Sequence, residues 1–119
     1  MTFHQEEQNG DITIVRIGGQ VDSVKAVELE NLTMNLIDGE LKGLLLDCTE
    51  MDYINSAGLR VFLLAAKQMD QIGAPLAFCG LVPNVQMIFE TIGFDRILTV
   101  YGSRGDALEN MRAMNEQSA

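Results

Sequence analysis

At 119 residues, 47% hydrophobic and 21% charged, the chain is long enough to bury roughly two-thirds of its unfolded surface as one domain over residues 1–119, and its composition excludes wholesale disorder. Seventeen acidic against eight basic side chains leave a net charge of −9, which argues against nucleic acid, whose binding rests on neutralising phosphates, and against an anionic membrane surface. No apolar run reaches the roughly 18–20 residues that span a bilayer, and the N-terminus lacks the basic start and apolar core of a signal peptide. Two cysteines, Cys48 and Cys79, lack metal-ligand spacing and read as reduced thiols of a cytoplasmic protein.

In chain order, residues 3–8 suit an edge strand, Asn9-Gly10 a two-residue hairpin turn, and residues 11–17 a second strand. There Ile12 and Ile14 alternate with Thr13, Val15 and Ile17, and β-branched residues dominate. Gly18-Gly19 breaks the pattern. Asp22-Ser23 offers an N-cap to a helix over about 24–37 whose core stripe is Leu29, Leu32 and Leu36. Val27 and Met34 fall nearly opposite that stripe, as a contact face or as residues partly buried under a neighbouring element.

Residues 41–47 read as the central strand. Leu44-Leu45-Leu46 is apolar on both faces, as a strand covered on both sides should be. A helix over about 57–72 follows, with Leu59, Phe62, Leu63, Ala66, Met69 and Ile72 as its stripe and Gly73 as its stop. Residues 75–79 make a short strand. Pro83 opens a third helix carrying Val85, Ile88, Phe89 and Ile92, and Gly93 ends it. Residues 97–101 form a last strand, and a capping-box-like Ser103-Arg-Gly-Asp106 precedes a C-terminal helix with Ala107, Leu108 and Met111. Residues 115–119 read as a frayed tail.

This order predicts an α/β fold: a mixed β-sheet with an N-terminal hairpin and about four amphipathic helices. Right-handed crossovers would align the carboxyl ends of the central strands on one rim, bringing together Asp22, Asp47 and the loop before Ser56. Ser56 would stand at a helix start, beside unpaired N–H groups and the positive end of the dipole, a favourable place for phosphate. Asp47, Glu50 and Asp52 precede it and Asp22 lies near, so added charge would change the local field strongly. Ser56 also suits the plainer role of N-cap, and Asn55 that of a turn residue. Gly58 inside a helix points to a close approach by another backbone or a partner, or simply to a helix start. Leu64 falls on the polar side with Arg60, Lys67 and Gln71, and with Ala57 and Val61 nearby it is a candidate contact.

Enzyme chemistry is missing. The single histidine, His4, sits in the expected edge strand as a surface residue, so no Ser–His pair can form. No glycine-rich phosphate loop is present. Glu50 and Asp52 read as a solvated turn rather than cation ligands. No catalytic residue, metal site or cofactor is therefore expected. A two-component receiver domain also has an Asp closing a central strand, but Ile14-Val-Arg-Ile-Gly-Gly19 supplies no acidic pair and no lysine follows Ile97-Leu-Thr-Val-Tyr101.

Gly19-Gln-Val-Asp22, Leu44-Leu-Leu-Asp47, Ile54-Asn-Ser-Ala-Gly-Leu59 and Val82-Pro-Asn-Val85 through Ile92-Gly93 resemble, in order and over nearly the whole chain, the STAS domain of bacterial anti-sigma factor antagonists. The resemblance implies a protein that binds an anti-sigma factor which is itself a serine kinase. Phosphorylation of the serine matching Ser56 releases that partner, and a metal-dependent serine phosphatase resets the cycle. It implies a partner surface of Asp22, Asn55, Ser56, Ala57, Gly58 and Leu59, with Leu64 at its margin. Asn55 departs from the aspartate usual in the family and removes one negative charge beside the acceptor. The same domain also serves as a constitutive subunit of lipid-transport or sensory scaffold complexes, the alternative reading. A nucleotide-binding module is a third.

Overall fold

The computed structural model describes the backbone of residues 4–118 and the side chains of residues 8–116. The expected strand start at Phe3, the side chain of His4 and the end of the tail at Ala119 lie outside those residues. The chain runs β1 (His4–Asn9), β2 (Ile12–Val21), α1 (Ser23–Asp38), β3 (Leu44–Ile54), α2 (Ser56–Ile72), β4 (Leu76–Cys79), α3 (Pro83–Thr91), a 3-10 turn (Phe94–Arg96), β5 (Val100–Tyr101) and α4 (Arg104–Ser118). The strands form one sheet in the order β1-β2-β3-β4-β5; β1 and β2 are antiparallel, and every other pair is parallel.

Alternation along the strands divides the interior in two. Val15, Ile17, Leu44, Leu46, Cys48 and Phe78 face α1, α2 and α3, meeting Leu29, Phe62, Met69, Val85 and Phe89. Ile12, Ile14, Leu45, Ala77 and Cys79 face the other way, onto Ala107, Leu108 and Met111 of α4. The apolar run Leu44-Leu45-Leu46 is thus covered on both sides, as its composition predicts. Phe62, Phe78 and Phe89 pack at ring separations of 4.7–6.1 Å in tilted and edge-on arrangements.

Several expectations need correction. β2 does not stop at Gly18-Gly19 but continues to Val21, absorbing the glycines as irregularities in register with β3. Gly19 there has φ +72, which a side chain would strain. β3 begins at Leu44 and extends to Ile54, so Glu50 and Asp52 are exposed strand residues rather than a turn. Only Val100–Tyr101 of the expected last strand pairs.

The stripe of α2 is also rotated. Gly58, Val61, Phe62, Ala65 and Met69 are buried, while Leu63 and Ile72 are 43% and 47% exposed. Apolar residues surround much of this helix, so two stripes one residue apart fit the same period. In α1, Ala26, Leu29, Thr33 and Ile37 are buried, Met34 packs against the core, and Val27 is exposed.

Candidate functional site

The site grows from the paired ends of β2 and β3. Val21 and Ile54 are register partners, and a helix starts directly after each. Asp22 caps α1: its backbone is extended and its Oδ1 accepts from the Lys25 N–H at 3.0 Å. Asn55 caps α2 in the same way, its Oδ1 accepting from the Gly58 N–H at 3.1 Å. The cap of α2 is therefore Asn55 and not Ser56. Both residue types suit the position, but only Asn55 has the extended backbone that turns its side chain back onto the first turn.

Every polar group of Asn55 is engaged. Its N–H donates to Val21 O at 3.1 Å and its carbonyl accepts from Leu59 N–H at 3.0 Å. Its Nδ2 donates to Ser23 Oγ at 3.2 Å, tying the starts of α1 and α2 together. Arg60 and Glu30 add a surface ion pair between the same helices at 2.8 Å. Ser56 is thereby left as the first residue of α2, exposed, with its hydroxyl free of capping duty.

Gly58 shows why the loop sits so low. A Cβ there would lie 2.6 Å from Ile54 Cγ1 and 2.8 Å from Val21 Cγ1. The close approach is to the chain's own strand ends, so Gly58 packs behind the rim rather than lining it. Ala57 and Leu59 are half-buried against the core, and Leu64 is half-buried on the flank. Val61, grouped with Leu64 in the sequence, is buried. Asp22 and Ser56 are the exposed polar members of the expected set.

Asp47 does not join them. Seven residues before the end of β3, it is 5% exposed and faces α4. Its Oδ2 accepts from Arg104 Nε at 3.1 Å and Nη2 at 2.7 Å, while its Oδ1 accepts from the N–H and hydroxyl of Thr49 at 3.0 and 2.6 Å. Burial alone would raise its pKa, but the bonds from Thr49 and Arg104 together outweigh burial and hold the carboxyl below its usual range. Rise along a strand is about 3.3 Å per residue, so some 20 Å separate Asp47 from the rim. Glu50 lies 3.7 Å from Arg16 and is partly neutralised. Asp22 and Asp52 remain as the exposed acids closest in sequence and register to Ser56, and Asn84 steadies the second through the Asp52 carbonyl at 2.9 Å.

Exposed apolar residues that the sequence did not single out flank the serine. Val24 is 70% exposed one residue after Ser23, and Tyr53 is 46% exposed three before Ser56. The signal for Val24 was its place immediately after a helix cap; for Tyr53 nothing short of the strand's true length would have shown it.

The arrangement offers an exposed hydroxyl, and among the described residues no side chain is hydrogen-bonded to it as a base would be. Burial raises the Cys79 thiol to about 12, with Asp47 beside it adding to the shift, and Cys48 is raised well above the ordinary thiol value by its burial. Both are inert as nucleophiles at neutral pH. Among the described residues no three His, Cys, Asp or Glu side chains gather to hold a metal ion, and no helix is long and apolar enough to cross a membrane.

Residues 5–107 match the STAS domain family model. A relative from Bordetella bronchiseptica, by name the anti-sigma factor antagonist BtrV, is 42% identical over 91 residues, covering 76% of this chain and 78% of its own. Among solved structures, an anti-sigma factor antagonist from Mycobacterium paratuberculosis superposes with a TM-score of 0.85 at 21% identity, covering 93% of both chains. The Bacillus cell fate determinant SpoIIAA, in its phosphorylated form, superposes with a TM-score of 0.73 at 13% identity over 92% of this chain and 98% of that one. The chain belongs to the STAS domain family and, within it, to the anti-sigma factor antagonists.

Proposed function

We propose that this chain antagonises an anti-sigma factor by phosphorylation-controlled partner switching, in the cytoplasm and without catalytic activity of its own. With Ser56 unmodified, the rim formed by Asp22, Asn55, Ser56 and the exposed flanks of α1 and α2 binds an anti-sigma factor that is a serine kinase. Phosphorylation of Ser56 ends the binding, and a serine phosphatase restores it. The observation that carries this reading is the exposed Ser56 hydroxyl at the first position of α2, left free because Asn55 makes the cap.

The energetics favour release without unfolding. A phosphate adds about −1.5 to −2 charges at pH 7, close to Asp22 and Asp52. Against a docked partner that charge must be desolvated and repelled, and a loss of about 3 kcal/mol weakens binding roughly a hundredfold. Within the chain itself, the start of α2 favours an anion by roughly 0.3–1 kcal/mol. Asn55 is explained by its four hydrogen bonds, so its presence in place of an acid does not by itself favour a never-phosphorylated scaffold subunit.

The test is calorimetric titration against a kinase-type anti-sigma factor from the same genome. Ser56→Ala should bind as the parent does, and Ser56→Asp about a hundredfold more weakly. With ATP the kinase should add one phosphate to the parent and none to Ser56→Ala. Equal binding by Ser56→Asp and the parent would refute the charge switch.

A further inference from the structure

The edge of the sheet beyond β4 carries a groove that has no part in the Ser56 rim. β5 pairs only with β4, over two residues. Phe78 N–H donates to Thr99 O at 2.9 Å and Gly80 N–H to Tyr101 O at 3.1 Å. Thr99 and Tyr101 therefore turn their backbone groups inward, and Val100 between them turns its N–H and C=O to the open side, because these directions alternate along a strand.

Beside that edge, between β5 and α3, lies a cavity of about 410 Å³ whose lining includes Leu81, Gln86, Phe89, Glu90, Asp95 and Tyr101. Phe89 is its buried floor, Leu81 and Tyr101 are half-buried, and Glu90 and Asp95 stand exposed at the mouth. Gln86 Nε2 donates to Glu90 Oε2 at 3.3 Å. Among the described residues neither Glu90 nor Asp95 is ion-paired. The groove is apolar below and negative above.

We propose that this groove and the open edge of β5 dock an extended basic segment of a partner protein. The segment adds as a strand beside β5, exchanging main-chain hydrogen bonds with Val100. An arginine on it lays its stem across Phe89 and Leu81 and sets its guanidinium against Glu90 and Asp95. Arginine fits both halves of the groove, and a net charge of −9 steers basic segments toward it. A second copy of this chain fits less well, because edge-to-edge pairing would bring the same unneutralised acids together. The inference is independent of any modification at Ser56.

The test is a ¹H–¹⁵N NMR titration of the full chain with the peptide acetyl-Thr-Val-Arg-Val-Thr-amide and with its counterpart carrying Glu in place of Arg. The arginine peptide should saturably shift the amides of Gln86, Glu90, Asp95, Val100 and Gly102 and leave residues 55–58 unmoved. The glutamate peptide should bind at least tenfold more weakly. The double variant Glu90→Gln with Asp95→Asn should weaken the arginine peptide about tenfold, as two exposed charge contacts would, and remove the difference between the peptides. Val100→Pro deletes an N–H that points away from β4, exchanges a side chain packed on the core for the proline ring, and should abolish binding by both peptides; should that variant lose its fold, the charge-neutral pair decides alone. No shift at these amides, equal binding by the two peptides, or shifts that follow protein concentration without peptide would overturn the proposal.

Discussion

Two polar stations belong to β3, one within the strand at Asp47 and one just past its end at Asn55–Ser56, and they differ in burial and in how their polar groups are used. At Asp47 a carboxylate is buried, takes four hydrogen bonds from Thr49 and Arg104, and fastens α4 to the sheet. At Asn55–Ser56 an amide is fully used while the adjacent hydroxyl is left open to solvent. The first station spends its polarity on the fold; the second keeps one group in reserve. A polar residue close to a strand end thus indicates a functional site only when burial and bonding have not already claimed it.

This contrast can be broken by substitution. Asp47→Ala should have the largest effect on stability, about 2–3 kcal/mol in urea unfolding. Losing one partner of a buried pair costs about 3–5 kcal/mol, and Arg104, 30% exposed, can recover part of that from water. Binding by the folded fraction should be unchanged, since the rim does not touch α4.

The pH dependence follows from the same residue. Asp47 titrates in the fold below its ordinary 3.8, so its contribution is complete above that value and is lost as pH falls through its folded pKa. Asp47→Asn should flatten the acid limb of a stability–pH curve followed by urea unfolding.

At the second station the effects are smaller. Gly58→Ala gains roughly 1 kcal/mol of helix propensity but forces a methyl against Ile54 and Val21, where overpacking costs about 1–3 kcal/mol. A net loss of up to about 2 kcal/mol by chemical denaturation is expected, with weaker partner binding because the serine is lifted. Asn55→Ala should cost about 1 kcal/mol through the lost cap, and Asn55→Asp only a few tenths, because a carboxylate can accept the same Gly58 N–H. If Asn55→Ala proved as damaging as Asp47→Ala, the division between a structural and a functional station would fail.

Much of the second station is legible in the sequence because its determinants are local. Asp22-Ser23 and Asn55-Ser56 are cap pairs followed by amphipathic helices, and neighbouring parallel strands bring two such starts together. The role of Asp47 is not legible, because its partner Arg104 stands 57 residues away and nothing local distinguishes a buried carboxylate from an exposed one. The true length of β3 is hidden for a related reason. Glu50 and Asp52 have poor strand propensity, and the pairing of Glu50, Met51 and Tyr53 with the irregular end of β2 carries the strand through them. The rotated stripe of α2 shows the limit of periodicity where apolar residues nearly encircle a helix.

One last consequence follows from the seat of Gly58 and the four bonds of Asn55. Together they hold Ser56 in place, so the kinase of the proposed cycle would have to come to a folded surface instead of threading a pliant stretch of chain through its cleft. A peptide cut from residues 50–62 would carry the same hydroxyl and almost none of the shape.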